Sequence, residues 1–211
     1  GSNWAAGDVM YKNIIDRVDD KGNQLDKGEV NGGRGTLDDH GDLSIIGNSS
    51  PRYRFGITLD GAWKGLDASI FLQGIGKRDF WDNSPYSTGA NHGMWQAAGF
   101  KEHLDFFRPE GDKDFGANLD AFYPRPLFDQ GGKNFYTQTR YLQNAAYMRI
   151  KNLQIGYTLP AEWTSQLGVS RARIYFSGDN LYTFTQMNKI FDPEATGGDW
   201  GPGKIYPLAR T

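Results

Sequence analysis

Three sets of residues have types and spacing that could do chemistry. Asp38, Asp39 and Asp42 bring carboxylates close together, as a glycosidase does when it separates a general acid from a nucleophile or base. No further acid at a predicted strand end accompanies them, so a catalytic pair is not identified and no enzyme is expected. The stretch Asp16–Glu29 is rich in carboxylates and glycine and could offer oxygen ligands to Ca²⁺. Its spacing is not that of a calcium loop: counting from Asp16 puts Lys21 at the sixth position, and counting from Asp20 puts Leu25 there, where the sharp turn needs glycine. A solvated surface loop without a metal is the expectation. The histidines are His40, His92 and His103, none at helical i, i+4 spacing, and cysteine is absent. Thiolate zinc sites, disulfides and Cys nucleophiles are therefore excluded, and a zinc hydrolase is disfavoured. Gly32-Gly33-Arg34-Gly35 follows no strand and precedes no Gly-Lys-Ser/Thr, so it is not a phosphate loop.

Binding chemistry is better represented. Trp81, Trp95 and Trp200 lie in segments without strand pattern and could stack on sugar rings, although loop aromatics also serve as the loops' own small cores. Arg52, Arg54, Arg149 and Lys151 form a basic set that could face a polar interior or an anionic substrate. Lys plus Arg total 23 against 25 Asp plus Glu, a formal charge of -2. That balance argues against phosphate neutralisation, so no nucleic acid partner is expected.

The elements that must position these residues are strands. Glycine is 28 of 211 residues and aromatics are 14%, and no run of 18 apolar residues could cross a membrane as a helix. From Arg52 to Asp60 the residues alternate: Tyr53, Phe55, Ile57 and Leu59 share one face, while Arg52, Arg54, Gly56, Thr58 and Asp60 share the other. A turn over Gly61–Gly65 leads to a second alternating run in which Leu66, Ala68, Ile70 and Leu72 oppose Asp67, Ser69, Phe71 and Gln73, giving a hairpin. Pattern returns at Tyr147–Leu159 with a change of phase between Ile150 and Leu153, which predicts a bulge near Lys151-Asn152. Pro160 stops that strand, Ala161–Ser170 reads as a short connection with one helical turn, and a last strand runs from Arg171 to about Thr185. The fold class is all-β, and strands of this hydropathy suit a transmembrane barrel, in which alternate residues face lipid.

Several segments, in order along the chain, resemble the carboxy-terminal part of SusC/RagA-type TonB-dependent outer-membrane transporters. They are Gly7-Asp8-Val9-Met10-Tyr11-Lys12, Ile45-Ile46-Gly47-Asn48-Ser49-Ser50-Pro51-Arg52-Tyr53, Trp63-Lys64-Gly65-Leu66-Asp67 and Phe71-Leu72-Gln73-Gly74. The strongest are Tyr147–Pro160 and Ile174–Thr185, followed by Phe191-Asp192-Pro193-Glu194 and Tyr206-Pro207-Leu208. The resemblance implies antiparallel strands of a large barrel, with the plug, the TonB-contacting segment and most strands upstream and the family's final strand missing after Thr211. It implies extracellular loops over 1–50, 77–142 and 186–211, a hairpin over 51–76, and two strands with a periplasmic turn over 143–185. Tyr53, Phe55, Ile57 and Leu59 would face lipid, and Arg52, Arg54 and Asp60 the lumen. The implied activity is energised import of glycan oligosaccharides captured under a SusD-like surface lipoprotein and driven through TonB, with a peptide importer of the same family as the alternative. A soluble carbohydrate-binding β-sandwich is the reading from another class; it would need several more strands within 76–140.

Overall fold

The computed structural model describes residues 4–24, 28–82, 99–127, 133–166, 168–189 and 191–196. The chain divides into two compact units, one built from Gly1–Ile46 with Asn83–Thr139 and the other from Gly47–Asp82 with Arg140–Thr211.

The second unit is a sheet. Strands β1 (Arg52–Trp63) and β2 (Leu66–Lys77) form an antiparallel hairpin, and β2 pairs with β5 (Tyr147–Thr158), which pairs with β6 (Arg173–Thr185). The order is β1-β2-β5-β6, and all neighbours are antiparallel. A short ladder of β3 (Asp79–Phe80) and β4 (Gln143–Asn144) lies beyond the ends of β2 and β5. The only regular helix among the described residues longer than a 3₁₀ turn is α1 (Ala161–Ser165), the turn expected after Pro160. No described helix is long and apolar enough to cross a membrane. The fold is thus all-β and antiparallel, and the sheet is open, since β1 and β6 are its two edges.

The hairpin turn differs from the five-residue one read over Gly61–Gly65. Gly61 pairs with Ala68 and Trp63 with Leu66, so the loop is only Lys64-Gly65. Both residues have positive φ, 48° and 88°, the left-handed pair that matches the twist of the flanking strands and favours glycine at the second place. Both strands are consequently longer than the alternation alone indicates. The predicted bulge is present: the register of β5 shifts at Lys151 against β2 and again against β6. Asn180 on β6, at φ 52°, takes up the second irregularity, a conformation asparagine tolerates better than most residues.

Register fixes the two faces, because residues directly opposite on neighbouring strands point the same way. One face is apolar: Ile57, Leu72, Ile150 and Tyr182 form one row, and Leu59, Ile70 and Leu153 another. Trp63 and Tyr157 sit at its turn end, and Tyr53 and Phe184 toward the other. Ile57 is 44% exposed, Trp63 71% and Tyr53 75%, so none of the described residues covers that face. The buried residues Phe80, Ala145, Met187 and Phe191 cluster at the end where the long connections leave.

The first unit has no periodic pattern and is organised by hydrogen bonds. Asp8, with a side chain only 3% exposed, receives a two-pronged contact from Arg125 at 2.8 and 2.9 Å and further bonds from Lys133 Nζ at 2.8 Å and Asn134 Nδ2 at 3.0 Å. Burial alone would raise the pKa of Asp8, but Arg125, Lys133 and Asn134 outweigh it and hold the carboxyl far below the ordinary range. A depressed folded pKa means that the stabilisation is complete above the unfolded value of about 4 and is lost as pH falls toward the folded value. Hydrogen exchange at the Val9 amide, which donates to Asn134 Oδ1, should therefore keep its protection, corrected for intrinsic rate, from pH 7 to 5 and lose it on further acidification. Asp8→Asn should show the acid-state exposure already at pH 7.

Candidate functional site

The opposite face of the sheet is polar, and the site lies there. Its rows are Arg52 with Lys77; Arg54, Ile75, Tyr147 and Thr185; Gly56, Gln73, Arg149 and Thr183; Thr58, Phe71, Asn152 and Asp179; and Asp60, Ser69, Gln154 and Ser177. The bulge at Lys151 makes this continuous: without it, Asn152, Gln154 and Gly156 would fall on the apolar face.

Two ion networks brace it. Near the turn end, the Arg173 guanidinium on β6 reaches over β5 to the Asp67 carboxylate on β2, with Nε 3.0 Å from Oδ1 and Nη2 on Oδ2. It crosses β5 at Gly156, where a Cβ would strike the guanidinium, so glycine is required between the two partners. At the other end Arg149, 4% exposed, is held on three sides. Its Nη2 donates to Asp192 at 2.7 Å, its Nη1 to Glu194 at 2.7 Å, and its Nε to Thr183 Oγ1 at 2.6 Å. Lys151 Nζ at 3.2 Å and the Tyr147 hydroxyl at 3.2 Å also donate to Glu194. The segment after β6 is thereby fastened to the polar face.

Of the residues singled out from sequence, Arg52, Arg54 and Asp60 all lie on this face. Trp81 is half-buried beside the β3 strand, and Trp95 and Trp200 lie outside the described residues. Arg149 and Lys151 join Asp192 and Glu194, a pairing the sequence did not disclose; nor did it disclose Asp67 with Arg173, 106 residues apart.

Of the other candidates, Asp39, Asp42 and Asp19 have structural partners, and His92 lies outside the described residues. Asp42 accepts the amides of Ile14, Ile15 and Asn31 at 2.6, 3.0 and 2.9 Å, which lowers its pKa. Asp39 pairs with Arg17 and Arg34. Asp19 closes its own turn by accepting from Lys21 and Asn23. Among the described residues no three carboxylates or histidines converge as a metal site.

No family model matches the chain. It is 28% identical over 193 residues to TonB-dependent receptor P3 of Formosa agariphila, covering 83% of this chain and 17% of that receptor. Among solved structures it is similar to the RagAB peptide importer in its closed-closed state, at 27% identity and a TM-score of 0.55, covering 88% of this chain and 18% of the other. A further structure of the RagAB peptide transporter gives 30% identity and a TM-score of 0.52 over 72% of this chain and 16% of the other. The chain thus spans less than a fifth of the proteins it matches. An unclosed antiparallel sheet with one apolar and one polar face, matched in sequence and fold to these receptors, places the chain as a segment of a TonB-dependent outer-membrane receptor of the SusC/RagA type.

Proposed function

We propose that this chain supplies part of the lumen wall and surface loops of an importer of oligomeric nutrients. The observation that carries the reading is the two-faced sheet. Twelve-residue strands at about 3.3 Å per residue and a tilt of about 40° span about 30 Å, enough to cross a bilayer. The exposed apolar face then meets lipid and the polar face, with Arg52, Arg54 and Asp60, meets the lumen. The tight Lys64-Gly65 turn and the α1 connection belong in the periplasm, because such barrels have short periplasmic turns and long extracellular loops. TonB as the energy source and a SusD-like surface lipoprotein as the lid are the partners the family resemblance implies.

The cargo we favour is oligopeptide, on the likeness to the RagAB peptide importer. This departs from the glycan expectation drawn from sequence. Oligosaccharide remains the second reading, supported by exposed loop aromatics such as Trp4, Phe115 and Tyr136 that suit sugar stacking. Uptake of labelled oligopeptides and oligosaccharides by parent and deletion strains separates the two. Loss of oligopeptide uptake with free amino-acid uptake intact is the expected result. Loss of oligosaccharide uptake alone would select the second reading, and loss of neither would contradict import.

A further inference from the structure

We infer that the lumen face carries an anion site, formed by Arg54, Arg78 and Lys151, that takes a carboxylate of an acidic oligopeptide; this rests on the peptide-import reading. These three cations line one open groove of ≈ 740 Å³ walled by Phe71 and Tyr147. Above it, Arg52 and Lys77 stand directly opposite each other in the β1–β2 register. Like charges opposed across a ladder are destabilising, so this end of the sheet gathers five cations whose mutual repulsion calls for a counter-charge.

The protein supplies little of it. Among the described residues, Arg52, Arg54, Lys77 and Arg78 form no ion pair. Arg78 uses only its Nε, donating to the Ser49 carbonyl at 3.2 Å. The carboxylates of this end are committed elsewhere. Asp79 accepts the Asn48 amide at 2.8 Å, and Glu194, which also lines the groove, is shared among Arg149, Lys151 and Tyr147. Most of the strand residues that line the groove, Arg54, Gly56, Phe71, Gln73, Ile75 and Tyr147, belong to the polar face, so its ligand reaches it from the lumen. A carboxylate entering it would meet two guanidiniums with free N–H donors, the strongest ordinary pairing for that group.

The test uses the full-length receptor in detergent and calorimetric titration with three probes: a peptide rich in Asp and Glu, its Asn and Gln isostere, and an oligouronate. Wild type should bind the acidic peptide at least about tenfold more tightly than the isostere, and the preference should weaken at high salt. Arg54→Gln with Arg78→Gln should abolish the preference, bringing the acidic peptide and its isostere to the same affinity. A heat-modifiable band confirms that the variant barrel is folded, and Arg52→Gln with Lys77→Gln serves as a second test, expected to reduce the preference by several-fold. A preference that survives in both double variants, or its absence in wild type, overturns the anion site while leaving peptide import standing. Binding of the oligouronate alone overturns the peptide assignment, and binding of no probe overturns both this site and the import reading it rests on.

Discussion

Arg149→Ala should destabilise the receptor by about 3–5 kcal/mol, the cost of removing one partner from a buried ion network. The guanidinium is 4% exposed and holds Asp192, Glu194 and Thr183 at once. Among the described residues, deleting it leaves Glu194 with Lys151 and the Tyr147 hydroxyl as its donors, and Asp192 with the Glu194 amide alone. The loss should be local first: the amides of Phe191 and Glu194, bonded within their own turn, should lose exchange protection before the β1–β2 ladder does. Arg149→Lys should not restore stability, because an ammonium cannot reach two carboxylates and a hydroxyl in one plane. Adding Asp192→Asn and Glu194→Gln to Arg149→Ala should recover part of the loss, so the effects should be far from additive. A loss below about 1 kcal/mol in denaturant unfolding would show that the segment is not fastened through this residue.

Much of the sheet was legible in the sequence because its constraint is local. Tyr53, Phe55, Ile57 and Leu59 alternate with Arg54, Gly56 and Thr58, and a strand with two different surroundings has to alternate. The bulge at Lys151 was legible for the same reason, since the apolar parity changes between Ile150 and Leu153. The hairpin turn was misjudged because Gly61 and Ala62 look like turn residues. The ladder keeps them, and only Lys64 and Gly65 adopt the positive φ that turns the chain.

The site was half legible. Arg149 and Lys151 stood out as charges on a strand, but their carboxylates lie more than forty residues on, at Asp192 and Glu194. No period connects them. The first unit was illegible for the same reason: Asp8 meets Arg125 across 117 residues, within stretches that carry no repeating pattern. Family resemblance flagged the Gly7–Lys12 and Phe191–Glu194 segments without saying what they hold. The structure supplies that: one is the carboxylate anchor of the loop unit, the other the fastening of the chain onto the polar face.

The second large effect follows from the two faces of β1. Ile57 lies on the apolar face near mid-strand, and Thr58, its neighbour, lies on the polar face with Asn152 and Asp179. An arginine facing lipid near the bilayer midplane costs about 2–4 kcal/mol, whereas a lumen position tolerates charge. Ile57→Arg should therefore weaken the folded barrel by that amount, and Thr58→Arg by less than about 1 kcal/mol, although the two sites are adjacent in the chain and both are exposed in this sheet. The difference exists only if lipid covers one face and water the other; in a soluble sheet both substitutions would place arginine in water and cost little. The measurement is reversible denaturant unfolding of the full-length receptor and both variants in phospholipid bilayers. A penalty at position 57 alone is the result expected of a membrane barrel wall; equal effects at 57 and 58, or a larger one at 58, would contradict it.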